Sequence, residues 1–114
     1  MSDCLFCKMI AGEIQPDTVY EDDNVLAFRD ISPQAPTHVL IIPKRHISTL
    51  NDLQEEDAEL MGQMSLVAAK VADKEGFARS GYRTVMNCNA AGGQTVYHIH
   101  MHLLGGRAMT WPPG

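Results

Sequence analysis

The sequence predicts an α+β domain in which one long helix packs across a mainly antiparallel sheet. Two observations support this: a single helical apolar pattern of about twenty residues, and several short apolar or alternating runs on either side of it. The chain has 114 residues and is 45% hydrophobic, which suits one buried core but not two. We therefore expect residues 1–114 to form a single domain.

Two segments are predicted to be helical. The first is short, from Cys4 to Ala11, with Asp3 as its N-cap and Gly12 as its stop. The second runs from about Leu53 to Glu75, has acidic residues in its first turns, and is closed by Gly76. Its main apolar stripe consists of Leu60, Met64, Val67 and Val71.

Four segments read as strands. They are Val25 to Arg29, His38 to Ile42 (stopped by Pro43), Tyr82 to Asn87, and Val96 to Leu104. The second is rich in β-branched residues, so we expect it to be central in the sheet.

Composition excludes several classes of function. Fourteen acidic residues outnumber nine basic ones without any Lys or Arg run, which argues against long nucleic acids but leaves a small anionic ligand open. The longest aliphatic run, Val39 to Ile42, is too short to cross a membrane. The segment Met1 to Cys4 does not look like a secretory signal, and an odd cysteine count does not suggest a disulfide framework. We expect a cytoplasmic protein.

Three of the five histidines, His98, His100 and His102, alternate with apolar residues. In a strand they would share one face, with Tyr97, Ile99, Met101 and Leu103 on the other, and neighbouring histidines would be about 6.6 Å apart. Two of them could share a metal ion, but three on a straight strand could hardly do so. An exposed polar face is the alternative, yet three histidines in register beside a glycine-containing loop favour a functional site.

That loop runs from Asn87 to Thr95 and contains Gly92 and Gly93. Paired glycines allow backbone N–H groups to converge on an anion, and Thr95 can add a hydroxyl donor. Taken alone, Gly-Gly is more often only a turn. Beside neutral imidazoles, which are competent nucleophiles near pH 7, it indicates phosphoryl or nucleotidyl transfer through a phosphohistidine.

Several segments resemble the histidine triad (HIT) superfamily. His98 to Leu104 matches its pattern His-φ-His-φ-His-φ-φ, where φ is apolar. Ala27 to His38, Gly92 to His98 and the ending Trp111 to Gly114 resemble the branch of histidine triad nucleotide-binding (HINT) proteins, and the similarity covers nearly the whole chain. The resemblance implies a HIT-like fold: an antiparallel sheet of about five strands, one long helix and a short N-terminal helix.

The resemblance also implies a hydrolase of purine nucleoside 5′-phosphoramidates. In the family, the histidine matching His100 attacks the α-phosphorus and expels an amine, and water then releases AMP or GMP. His38 and His102 match histidines that orient and polarise this site. No acidic cluster suggests a catalytic Mg²⁺ site of the kind that kinases use, so no catalytic metal is expected.

The same resemblance implies the nucleotide-contacting residues. Without it, Asp30 could equally cap a turn, and Phe28 and Ile31 would pass for ordinary core residues. The matching positions are Phe6, Met9, Phe28 and Ile31 for the base, Asp30 for the ribose, and Asn87, Gly93 and Thr95 for phosphate or ribose.

Cys4 and Cys7 form a Cys-x2-Cys pair, and zinc sites commonly combine such a pair with two distant histidines. In many microbial HIT proteins the residues matching Cys4, Cys7, His46 and His98 hold structural zinc, whereas animal HINT proteins usually lack the cysteines. This chain thus resembles the zinc-bearing type. Two buried thiols and a surface histidine are the alternative, and His98 is left between zinc binding and proton transfer.

The sequence leaves the oligomeric state and the exact activity open. The family is usually a homodimer joined edge to edge, with the C-terminal tail near the neighbour's site, so Trp111 would help shape nucleotide specificity; capping its own domain is the alternative. The competing functions are a dinucleoside polyphosphate hydrolase of the Fhit type and a non-catalytic nucleotide-binding regulatory protein.

Overall fold

The computed structural model describes residues 3–114. Met1 and Ser2, part of the segment expected not to be a secretory signal, lie outside the described residues. One five-stranded antiparallel sheet has the order β1-β2-β3-β5-β4. The strands are β1 (Thr18–Glu21), β2 (Val25–Arg29), β3 (Thr37–Pro43), β4 (Tyr82–Val85) and β5 (Met101–Gly105), and the helices are α1 (Leu5–Ile10) and α2 (Ala58–Glu75). The predicted fold class is confirmed.

Helix α2 covers one face of the sheet. Gly76 ends it in the left-handed region, at a φ of 90°, which glycine adopts without steric cost. Within residues 3–114, no helix has the length and apolar character needed to cross a membrane. The buried side chains that α2 contributes to this core are Met64, Val67, Ala68, Val71 and Ala72.

Helix α1 lies on the opposite face, where Phe6 packs against Phe28 and Leu40. Side chains alternate along a strand, so Val39 and Ile41 of β3 belong to the core beneath α2, whereas Leu40 belongs to the core beneath α1. Leu40 lies opposite His102 of β5. The second and smaller core therefore adjoins the histidines.

The start of each helix differs from the prediction. The N-cap of α1 is Cys4 rather than Asp3, because the Cys4 Sγ accepts a hydrogen bond from the Cys7 N–H at 3.4 Å. The long helix begins at Ala58 rather than Leu53. Leu53 has extended backbone angles (φ −65°, ψ 140°) and separates two short 3-10 turns, Leu50–Asp52 and Glu55–Asp57.

Carboxylates explain that delayed start. Asp52 accepts from the N–H of Thr49, and Asp57 accepts from the N–H of Gln54. Side chains of this type compete with the α-helix for backbone donors. Asp57 is buried against Arg45, and the Arg45 hydrogen bond holds the pKa of this carboxyl below its usual value.

The strand predictions need several corrections. β3 runs from Thr37 to Pro43, so Pro43 pairs with Val25 as the last residue of the strand rather than stopping it. β5 begins at Met101 rather than Val96, so His98 and His100 precede the strand; there the Ile99 N–H donates to the Ile47 carbonyl instead of joining the ladder. β4 ends at Val85 rather than Asn87, where its pairing with His102 ends. The edge strand β1 was not predicted, because its half-exposed residues carry little apolar alternation.

Candidate active site and metal cluster

A cavity of about 400 Å³ opens on the sheet face opposite α2. Helix α1, the loop after β2 and the segment before β5 form its walls. It brings together eight of the residues predicted for the site: Phe6, Met9, Phe28, Asp30, Ile31, Thr95, His100 and His102. Asn87, Gly93, Trp111, His38 and His98 are not among its lining residues.

His100 is held with one ring nitrogen committed and the other available. Its Nδ1 lies 2.8 Å from the main-chain carbonyl oxygen of His98, an acceptor, so Nδ1 carries the proton. In the neutral ring, Nε2 then keeps the lone pair, and the ring lines the cavity. The Phe6 ring packs edge-on against it, with centroids 5.2 Å apart. The result is an oriented imidazole with a nucleophilic nitrogen.

His38 and His102 form a second hydrogen-bonded unit whose tautomers follow from one backbone donor. The Gln34 N–H donates to His38 Nδ1 at 3.0 Å, so in neutral His38 the proton is on Nε2. His38 Nε2 lies 2.9 Å from His102 Nδ1 and donates to it. His102 must then carry its own proton on Nε2, and its ring lines the cavity.

Burial keeps both of these rings neutral. The pKa of His102 falls to about 4, chiefly because burial disfavours the charged form, with His100 and His38 adding to the effect and Asp30 opposing it. The pKa of His38 is also lowered by burial, against the opposing pull of Asp30. At neutral pH His102 is therefore a hydrogen-bond donor without a full charge.

Asp30 stands where β2 leaves the sheet. Its Oδ1 accepts from the Ser32 N–H at 2.7 Å, and its Oδ2 lies 3.5 Å from His38 Nε2. Phe28, just upstream, is buried, whereas Ile31 is 98% exposed at the cavity rim. An acceptor group thus sits between an apolar wall and the histidines.

The glycine loop is a tight turn in this structure. Ala90–Gly92 form a 3-10 turn, and Gly93 follows it in the left-handed region at a φ of 84°. The amides of Gly92, Gly93 and Gln94 all donate to carbonyls within the loop. Thr95 reaches the cavity, so it is the loop residue best placed to contact an anion.

A second cluster lies where α1 begins. Cys4, Cys7, His46 and His98 each offer a ligand atom, and these four atoms lie within 4.8 Å of one another. The His98 Nδ1 is 3.4 Å from Cys4 Sγ and 3.6 Å from Cys7 Sγ, and the His46 Nδ1 is 3.3 Å from Cys7 Sγ. A tetrahedral zinc ion would give S···N separations of about 3.6 Å. The donor set and its spacing therefore fit zinc.

The other ring nitrogens of the cluster are hydrogen-bonded as metal ligands usually are. His98 is fully buried, and its Nε2 donates to the Pro43 carbonyl at 2.8 Å, while His46 Nε2 lies 3.2 Å from Ser48 Oγ. Because a carbonyl can only accept, the Pro43 contact fixes the His98 tautomer that leaves Nδ1 free of a proton, and the Ser48 contact is compatible with the same tautomer of His46. Burial lowers the pKa of His98, which also keeps the ring neutral.

Two supporting residues were not singled out from the sequence. Gln34 supplies the amide that orients His38. The buried side chain of Gln94 accepts from the Asn89 N–H and donates to the carbonyls of Ser48 and Val96, which fixes the glycine loop. Both residues lie inside segments that carry the family resemblance, and this position is the sequence feature that could have identified them.

Comparisons with known proteins agree with this geometry. The HIT domain family model matches residues 11–109. The chain is 60% identical over 105 residues to the purine nucleoside phosphoramidase of Escherichia coli strain K12, covering 92% of this chain and 88% of that protein. It is 53% identical over 115 residues to the 14 kDa zinc-binding protein of Zea mays, covering 99% and 89%.

Solved structures share the fold closely. The HIT family hydrolase from Legionella pneumophila superposes with a TM-score of 0.96 at 61% identity, covering 98% of this chain and all of that one. A histidine triad protein from Clostridium difficile gives 0.93 at 42% identity, covering 96% of each chain.

Proposed function

The chain belongs to the HIT domain family, and from that membership and the site geometry we propose that it hydrolyses purine nucleoside 5′-phosphoramidates. The net reaction converts a phosphoramidate and water into AMP or GMP and a free amine. The observation that carries the proposal is His100: a buried imidazole, oriented through Nδ1, that presents Nε2 to a cavity with an apolar wall and a carboxylate. The phosphoramidase relative supports the same reaction.

The reaction has two steps. His100 Nε2 attacks the α-phosphorus, a P–N bond to the ring forms, and the P–N bond to the amine breaks as the amine takes up a proton from solvent. Water then attacks the same phosphorus and gives up a proton to solvent, the bond to His100 breaks, and the mononucleotide leaves. Splitting the hydrolysis this way is the usual gain from a covalent intermediate.

His102 is assigned to a phosphoryl oxygen of the substrate, and His38 to the support of His102. His102 donates from Nε2 to an oxygen on which charge develops, and His38 keeps it in that tautomer. A donor aimed at developing charge in a low-dielectric site stabilises the transition state strongly. Thr95 adds a hydroxyl, with Asn87 and Gly93 as further predicted contacts.

The nucleoside is assigned to the rest of the cavity. The base would lie against Phe6, Met9 and Phe28, with Ile31 closing over it from the rim. Asp30 would accept hydrogen bonds from the two ribose hydroxyls, a geometry that suits a carboxylate.

The proposal includes zinc on Cys4, Cys7, His46 and His98. The metal would cross-link the start of α1, the segment after β3 and the segment before β5, and would act structurally. The Nδ1 of His98 faces the cysteine sulfurs, and its Nε2 bonds the Pro43 carbonyl. His98 is therefore assigned to the metal, and the leaving amine takes its proton from another donor.

A homodimer is also part of the proposal. β4 is an edge strand of the sheet, and Leu66 on α2 is largely exposed. The tail bearing Trp111 is held beside β4, where Arg83 donates to the Thr110 carbonyl and lies 6.0 Å from the Trp111 ring centroid. Sedimentation equilibrium should give twice the mass of one chain; the mass of a single chain at micromolar concentration would contradict this.

We also propose that the protein is cytoplasmic, which cell fractionation would check.

A substrate panel separates this function from its alternatives. Adenosine and guanosine phosphoramidates with different amines are compared with dinucleoside polyphosphates on wild type and His100→Asn. We expect kcat/KM to be at least about a hundredfold higher on P–N substrates, a discrimination within the range of well-oriented polar contacts. Preference for polyphosphates would indicate the Fhit-type activity, and binding without turnover a regulatory protein.

A further inference from the structure

Arg107 holds a residue that orients the catalytic histidines. It follows β5 by two positions, and its Nε and Nη2 both donate to the Gln34 carbonyl, at 3.2 and 3.1 Å. The N–H of the same Gln34 donates to His38 Nδ1. Both main-chain polar groups of Gln34 are thus engaged, one by the guanidinium and one by the imidazole.

The neighbouring residue packs against the same loop. Gly106 has a φ of 92°, and a Cβ there would come within 2.9 Å of the Pro36 Cβ. The guanidinium is further fixed because Arg107 Nη1 donates to the Ala108 carbonyl at 3.2 Å. Close backbone approach and a two-donor contact therefore join the chain after β5 to the loop before β3.

We propose that Arg107 is a positioning residue that sets the tautomer of His38, and through it that of His102. The order of hydrogen bonds is Arg107 to Gln34, Gln34 to His38, and His38 to His102. Without Arg107, the Gln34 amide is free to turn away. The Asp30 Oδ2, 3.5 Å from His38 Nε2, then favours the Nε2 proton without help from Gln34, so a fraction of His38 can carry its proton on Nδ1 and accept at Nε2. His102 would lose its donor partner and could no longer be held with the proton facing the cavity. The consequence for turnover rests on the proposed function; the tautomer itself does not.

A purely structural role for Arg107 makes a different prediction. If it only anchored the chain after β5, its loss would lower stability without moving a proton on His38. The measured quantity must therefore be the tautomer as well as the rate.

The experiment compares Arg107→Ala, Arg107→Lys and the control Arg79→Ala, an exposed arginine. Imidazole ¹⁵N shifts, assigned with His38→Gln, report which nitrogen of His38 is protonated. We expect wild type and the control to show Nε2–H only. Arg107→Ala should show a mixture of tautomers and a kcat about tenfold lower with KM within about threefold, as expected for misorientation of a catalytic group. Arg107→Lys, which has a single amine, should give a tautomer mixture and a kcat between those of wild type and Arg107→Ala.

A single Nε2–H tautomer in Arg107→Ala would overturn the proposal, whatever happens to the rate. A mixed tautomer with unchanged kcat would support the control of the tautomer by Arg107 and overturn its consequence for turnover. If wild type turned over no phosphoramidate, the hydrolase assignment would fail, while the tautomer comparison would still decide whether Arg107 positions His38.

Discussion

Residues 3–114 contain two groups of potential metal ligands, and the two groups differ in what joins their histidines. In the first, the Nδ1 atoms of His46 and His98 face the sulfurs of Cys4 and Cys7 at 3.3–3.6 Å. In the second, which comprises Asp30, His38 and His102, the two rings lie nitrogen to nitrogen at 2.9 Å. The first separation suits a metal ion and the second a shared proton.

In each group, the hydrogen-bond partner of one ring nitrogen determines whether the other ring nitrogen carries a proton or a lone pair. The Pro43 carbonyl accepts a hydrogen bond from His98 Nε2 and leaves the lone pair of Nδ1 facing the cysteine sulfurs. The Gln34 amide instead occupies Nδ1 of His38 and leaves Nε2 as a proton donor. His100 donates from Nδ1 to the His98 carbonyl and keeps the lone pair on Nε2.

We expect the largest effect on kcat, and it should distinguish His100 from its neighbour His98. His100→Asn should lower kcat by at least about a thousandfold, because the nucleophile is removed, while mononucleotide affinity stays within about threefold. His98→Asn retains the main-chain carbonyl that orients His100, so the folded protein should stay within about tenfold of wild type. Equal losses in the two variants would show that the His98 ring takes part in the chemistry.

His102→Asn tests the donor next to the nucleophile. We expect kcat to fall about a hundredfold, the lower range for loss of a positioned proton-transfer or hydrogen-bonding group. Mononucleotide binding, measured by titration calorimetry, should change much less. A rate within threefold of wild type would remove His102 from the proposed mechanism.

Removing a sulfur tests the metal group. Cys7→Ser should lower zinc from about one equivalent to below one-tenth, measured by elemental analysis of protein purified without a histidine tag, and should lower the thermal midpoint because ligand binding to the folded state is lost. Cys88→Ser, outside the cluster, is the matched control. Wild type that holds less than one-tenth of an equivalent even after zinc supplementation would contradict the assignment.

The smallest expected effect is on the pH dependence of stability. Folded His102 has a pKa of about 4, against about 6.5 in the unfolded chain, so between these values the unfolded chain binds more protons. Protonation of this ring therefore favours the unfolded chain, and the free energy of unfolding falls as the pH falls from about 6.5 toward 4. Urea unfolding of wild type and His102→Asn, both with chelator, checks this: parallel curves would contradict the lowered pKa.

The sequence was sufficient for the fold class because its apolar periods were clear. Residues of the α2 stripe such as Met64 and Val67 are buried where the helical spacing requires, and β2 has the predicted bounds. The long helix was predicted to start too early because Asp52 and Asp57 bond the nearby N–H groups of Thr49 and Gln54, which favours short turns over the α-helix. Apolar periodicity detects packing faces and does not register this competition.

Eight of the predicted site residues line one cavity, but the alternating pattern by itself does not show how the histidines divide between that cavity and the cysteine cluster. Strict alternation predicts that His98, His100 and His102 share one strand face, yet only His102 lies in β5. The roles of these rings depend on Pro43, Gln34 and a carbonyl, which come from other parts of the chain. Tautomers are set by such three-dimensional contacts, which no spacing rule contains.

Trapping of the reaction intermediate tests the central assignment most directly. Wild type is mixed with an adenosine phosphoramidate bearing a good leaving amine, quenched within milliseconds, and analysed by intact-mass measurement and peptide mapping under conditions that preserve phosphohistidine. We expect the added mass of one nucleotidyl group, located on His100 and absent from His100→Asn. An adduct on His98 or His102, or turnover by a protein that never acquires one, would contradict it.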